Sequence, residues 1–231
     1  MMLTPGMRLS RDARTSYQII ERAWTGARHD YFLARKVFWN FRYPAEALDE
    51  ADVDEWLDVL VRVPRAEATG SHDVAFEWRA VFERPTVPWM LEPIDLLDPP
   101  ATGSPSSPVG PLLVLADPHA ARLSAGPPPD REAADRLARV LSEIPAMLGQ
   151  LHHEGLAAGP LEPGDFLVDS TGRWFYLGTD RIAAGSGAAA RDDRDHWSRL
   201  VSLVLTGSEE IEGLDPGPWA EEARRIHRSW R

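Results

Sequence analysis

Hydrophobic residues recur along this chain with two different periods. In "WLDVLVRVPR" (56–65), Leu57, Val59, Val61 and Val63 alternate with Asp58, Leu60 and Arg62, the two-residue period of a half-buried strand. "SYQIIERAW" (16–24) and "YFLARKVFWNF" (31–41) are rich in β-branched and aromatic residues and read as two strands around the turn "TGARHD". "WMLEPIDLLD" and "GPLLVLA" predict two more. Between them, "PPATGSPSSPVGP" (99–111) has no periodicity and reads as a loop. "PAEALDEADVDE" (44–55) is an acidic loop or short helix. "SHDVAFEWRAVFER" (71–84) reads as a helix stopped by Pro85, with Phe76, Ala80 and Val81 inward.

After "SAGPPPD" (124–130) the period becomes helical. Asp130 is the expected N-cap. Leu137, Val140, Leu141, Ile144, Leu148 and Leu151 then fall on one face, with Pro145 inside the pattern as an expected kink. "DFLVDSTGRWFYLG" (165–178) predicts two short strands around a Ser-Thr-Gly turn. "RDDRDHWSRLVSLVLTG" (191–207) predicts a helix closed by Gly207. A last helix follows, with Trp219, Ala223, Ile226 and Trp230 on one face. The chain thus divides into an N-terminal tail (1–15), a β-rich part (16–115), a connecting hinge (116–129) and a helical part (130–231). The expected fold class is α+β.

Composition narrows the function classes. With 231 residues, 43% hydrophobic and 26% charged, the chain is long and apolar enough for a globular core. A net charge of −11 argues against nucleic acid or an anionic membrane surface as partner. The basic "ARRIHRSWR" reads as a solvated helix face. With no cysteine, disulfides and thiolate metal sites are excluded. No apolar leader segment is visible and no apolar run spans a bilayer, so a cytoplasmic protein without membrane insertion is expected. Lys36 is the sole lysine among 25 basic residues, a bias expected of a GC-rich, bacterial coding sequence.

One stretch carries more than composition. "LHHEGLAAGPLEPGDFLVD" (151–169) resembles, without gaps, the protein kinase pattern L-H-x-x-G-(I/V)-V-H-(R/G)-D-L-K-P-x-N-I-L-V-D. Leu151, His152, Gly155, Leu161, Pro163, Leu167 and Asp169 match the architectural positions. "VDSTGRWFYLGTD" has the spacing of the kinase hairpin ending in D-F-G, which puts Gly178, Thr179 and Asp180 on that triplet. "VLVRVPR" looks like the strand bearing the nucleotide lysine, with Arg62 in its place. Residues 71–84 look like the kinase αC helix, whose glutamate position falls on Arg79 or, if the register slips, on Glu77. Asp195 falls on the anchoring aspartate of the helix after the activation segment. The resemblance implies a compact, two-lobed protein kinase-like fold, with a shortened activation segment and a truncated C-terminal lobe.

The chemistry is missing where the resemblance would put it. Phosphoryl transfer needs a base, cations on the phosphates, metal ligands and a backbone cradle. Pro160 holds the base position and cannot accept a proton; a positioned base is worth about 10²–10⁴ in rate. Glu162 stands where a lysine steadies the phosphate, and Gly178 where an aspartate binds metal. Only Gly26 is left of the Gly-rich loop. Arg62 and Glu77 are weak cofactor-binding candidates, with Lys36 as an alternative nucleotide lysine. Asp165 and Asp180 are weak candidates for a hard cation. No catalytic residue, cofactor or metal is expected. The expectation is an inactive bacterial pseudokinase that binds a protein partner as a scaffold or regulator. The alternatives are a kinase-fold enzyme with altered nucleotide-dependent chemistry, or a small-molecule sensor in the cleft between lobes.

Overall fold

The structure, a computed structural model, describes residues 3–12, 15–26, 29–38, 56–65, 88–97, 112–185, 187–209, 223–226 and 228. The expected helix at 71–84, with Glu77 and Arg79, lies outside them, as do the acidic segment 44–55 and the loop 99–111. The chain forms two compact units, Met1–Thr86 with Leu91–Pro118 and Val87–Met90 with His119–Arg231.

The first unit is a curled antiparallel sheet. Its strands are β1 (Arg8–Ser10), β2 (Thr15–Thr25), β3 (His29–Phe38), β4 (Trp56–Pro64), β5 (Pro93–Leu97) and β6 (Leu112–Ala116), in the order β1-β2-β3-β4-β6-β5. The alternating residues do share a core, but β4 is not half-buried as expected: Leu60 and Arg62 on its other face are buried too. Phe32 and Ala34 of β3, Val59, Val61 and Val63 of β4, and Leu112 and Val114 of β6 fill one core. Part of the expected tail is structured: Arg8–Ser10 pairs with β2, and Leu3 and Leu9 are buried in that core. The segment joins the fold because Leu3 and Leu9 have apolar surface to hide.

The curl has a polar fastening. In a flat sheet, β2 and β5 would lie about 19 Å apart, four strand spacings. Yet the Tyr17 hydroxyl of β2 donates to Asp95 Oδ2 of β5 at 2.8 Å. Arg11 Nη1 donates to the same oxygen at 3.0 Å. Burial, and then Asp95, hold the Tyr17 phenol well above its usual range, so it stays a donor.

The second unit is mainly helical. Its long helix α1 (Arg131–His153) starts where the sequence predicted: Asp130 accepts from Ala133 N at 2.8 Å. Beyond it come β7 (Ala121–Arg122, inside the expected hinge), β8 (Leu156–Ala157), β9 (Phe166–Val168), β10 (Trp174–Tyr176), β11 (Ala183–Ala184) and helix α2 (Gly187–Thr206). α2 begins four residues before the expected start and ends at Gly207, whose φ is 76°. Of the expected last helix, residues 223–226 are helical, with Ala223 and Ile226 buried in the unit's core.

Pro145 does not end α1, which runs on to His153. Proline lacks the N–H that would bond the carbonyl four residues back, here that of Leu141. Trp197 of α2 supplies a donor: its Nε1 bonds Leu141 O at 2.9 Å. Trp197 is 1% exposed, so the bond is made out of water.

Candidate functional site

The loop after β8 is held from beneath by a carboxylate. Asp193 of α2 is fully buried, at 0% exposure. Its Oδ2 accepts from Ala158 N and its Oδ1 from Gly159 N, both at 2.9 Å. His152 Nε2, at the end of α1, lies 2.9 Å from Oδ2. The loop turns here at Gly159, whose φ is 73°. The sequence reading gave this anchoring role to Asp195, and the structure corrects it. Asp195 is exposed. Two residues on a helix turn through about 200°, which puts Asp195 on the face opposite Asp193. The signal was present: Asp193, Trp197, Leu200 and Val204 follow the three-and-four spacing of the buried stripe.

Above the anchor, Pro160 and Glu162 are both exposed. Asp165 is mostly buried, and its Oδ2 accepts from Glu162 N at 2.7 Å. The same oxygen is ion-paired with Arg181, and the two side chains are 14% and 12% exposed. Burial pushes the Asp165 carboxyl above its ordinary value, while Arg181 and the Glu162 N–H pull it back. Asp165 is also tied through its backbone: its carbonyl accepts from Leu177 N at 2.7 Å.

Leu177 follows the β9–β10 hairpin. Asp169 closes that hairpin, its Oδ1 accepting from Thr171 N, Thr171 Oγ1 and Arg173 N at 2.8, 2.7 and 3.0 Å. These bonds hold the Asp169 carboxyl below its ordinary value. Past Leu177, the turn Gly178–Arg181 leads into β11, which pairs with β8. Gly178 is buried against Tyr176, and a Cβ on it would stand 2.6 Å from Tyr176 Cζ. The tyrosine ring thus occupies the space of a side chain at 178. Its hydroxyl donates to Ala158 O at 3.4 Å.

Of the sequence-selected residues, Pro160, Glu162, Asp165 and Gly178 come together in this unit. Arg62 belongs to the other unit, where it is buried on β4 opposite Tyr31 of β3 and Leu113 of β6. Lys36 lies on β3, opposite Tyr17 and Leu57. Glu77 and the Asp180 side chain are outside the described residues. Sequence reasoning missed Asp193, Tyr176 and Arg181.

Among the described residues here, few of the ligands that Mg²⁺ would need are present. A hard cation wants several oxygen ligands. Gly178 offers no side-chain oxygen, and the Asp165 carboxylate already faces a guanidinium. Among the described residues, no cluster of three His, Cys, Asp or Glu could hold a metal. A groove of about 660 Å³ runs beside the loop, lined by Pro160, Glu162, Arg122, His196 and Arg199 among others. Among the described residues, no helix is long and apolar enough to cross a membrane. A scan against protein-family models finds no match, and a search of curated proteins finds none either.

Proposed function

We propose that this chain is an inactive protein kinase-like protein, a pseudokinase that acts by binding a protein partner. One observation carries the reading. The start of the loop 158–165 is anchored on Asp193, yet the loop's reactive positions hold an exposed proline, an exposed glutamate and an aspartate paired with arginine. A buried carboxylate with three polar contacts is costly to assemble, so a loop held this way is under structural demand. The demand persists without the acid–base and metal groups that transfer needs. The curled sheet, with buried Arg62 on a central strand, is compatible with the nucleotide lobe of such a fold.

The reading makes this chain a scaffold or regulator in a bacterial signalling pathway, located in the cytoplasm. A second reading is a small-molecule sensor, placed not in the expected cleft between lobes but in the groove beside the loop, which residues of the second unit alone line and whose volume suits a compact ligand. Thermal unfolding with and without ATP and Mg²⁺ tests the first. The expected result is an unchanged midpoint. A rise of about 2–4 °C, the response to roughly 1 kcal/mol for a chain this size, would instead support an enzyme of altered chemistry.

A further inference from the structure

We infer that Arg181 is a built-in cation, its guanidinium taking the place of a metal ion at Asp165 so that the loop is charge-balanced without metal. The inference rests on the kinase-like reading, which gives Asp165 the position of a metal ligand.

Three observations support it. First, the pair is sheltered, with both side chains mostly out of water, where a lone carboxylate is expensive. Second, both partners are positioned by backbone. Asp165 is fixed by its bonds with Glu162 N and Leu177 N. Arg181 ends a short turn whose next residue, Ile182, bonds back to Thr179 O at 3.4 Å, and β11 then pairs with β8. Third, the neighbouring ligand position is closed, because Tyr176 fills the space beside Gly178. An arginine cation neither dissociates nor loses its proton near neutral pH, whereas a bound metal comes and goes with its concentration. The site is therefore permanently balanced, and the loop should not respond to divalent ions or to metal-bound nucleotide.

Titration with MnCl₂, following the free-ion signal by electron paramagnetic resonance, tests this on the full chain. Wild type and Asp165→Asn are expected to give the same titration. Arg181→Gln, checked for folding by circular dichroism, should have a lower urea midpoint than wild type, because it leaves the sheltered Asp165 carboxylate without its cation. Adding Asp165→Asn to that variant should recover most of the loss. Mn²⁺ uptake by wild type that Asp165→Asn abolishes would overturn the inference, and so would a folded Arg181→Gln as stable as wild type. If Arg181→Gln does not fold, the double variant carries the test: it should fold, and a double variant no more stable than Arg181→Gln would overturn the inference. Nucleotide is absent throughout, so a negative result bears on Arg181 alone, and the ATP experiment bears on the pseudokinase reading.

Discussion

Helix α2 and the segment 176–181 both reach into the loop 158–165, and they do opposite things there. α2 serves backbone groups: Asp193 takes the N–H groups of Ala158 and Gly159, and one turn later Trp197 takes on the carbonyl of Leu141. Segment 176–181 also bonds two loop carbonyls, those of Asp165 and Ala158, but it adds side chains where the loop's own would act: Tyr176 fills the space beside Gly178, and Arg181 covers the Asp165 carboxylate. The first set of contacts gives the loop its shape and would serve an active or an inactive protein equally. On the kinase-like reading proposed above, the second occupies the positions where chemistry would need open groups. The difference teaches that the shape of this loop and the groups displayed on it are supported by separate residues, so that one could change without the other.

The sharpest way to break the comparison is at Asp193. Asp193→Ala should leave the buried Ala158 N–H, the half-buried Gly159 N–H and His152 without their acceptor and cost about 3–5 kcal/mol, read as a lower urea midpoint at unchanged slope. A loss below about 1 kcal/mol would mean the loop does not depend on α2. Trp197→Phe should cost about 1–3 kcal/mol by orphaning the Leu141 carbonyl. Pro145→Ala supplies the missing N–H, so the same tryptophan change should cost less in that background. Equal costs in the two backgrounds would show that only the packing of Trp197 matters.

The smallest effect concerns two acids with opposite shifts. The folded pKa of Asp165 lies above its ordinary 3.8, so its contribution is present below that value and is lost as pH rises through the folded one. Asp169 lies below 3.8, so its contribution is present above that value and is lost as pH falls through the folded one. Urea midpoints followed from acid to neutral pH should therefore change slope in opposite senses for Asp165→Asn and Asp169→Asn. Matching slopes would show that burial does not dominate at Asp165.

Much of this was legible in the sequence for local reasons. The alternation through Val59, Val61 and Val63, the cap at Asp130 and the stop at Gly207 each depend on neighbours in the chain, and each appears in the structure. What was not legible depends on distant partners. Nothing local makes Arg8–Ser10 a strand; β2 does. Arg181 and Tyr176 matter only because the hairpin and the turn after it bring them to Asp165 and Gly178. Asp193 is a different case: the phase of the buried stripe in α2 marks it in the sequence, whereas motif spacing alone points to Asp195.

The bond from Trp197 to Leu141 has a consequence for how the unit assembles. Until α2 arrives, α1 carries a gap in its own ladder at Pro145. The middle of the longest helix is thus completed by another helix, 56 residues along the chain. Full helicity at 131–153 and the docking of α2 become one cooperative event, and partial unfolding of either helix should weaken the other at that turn.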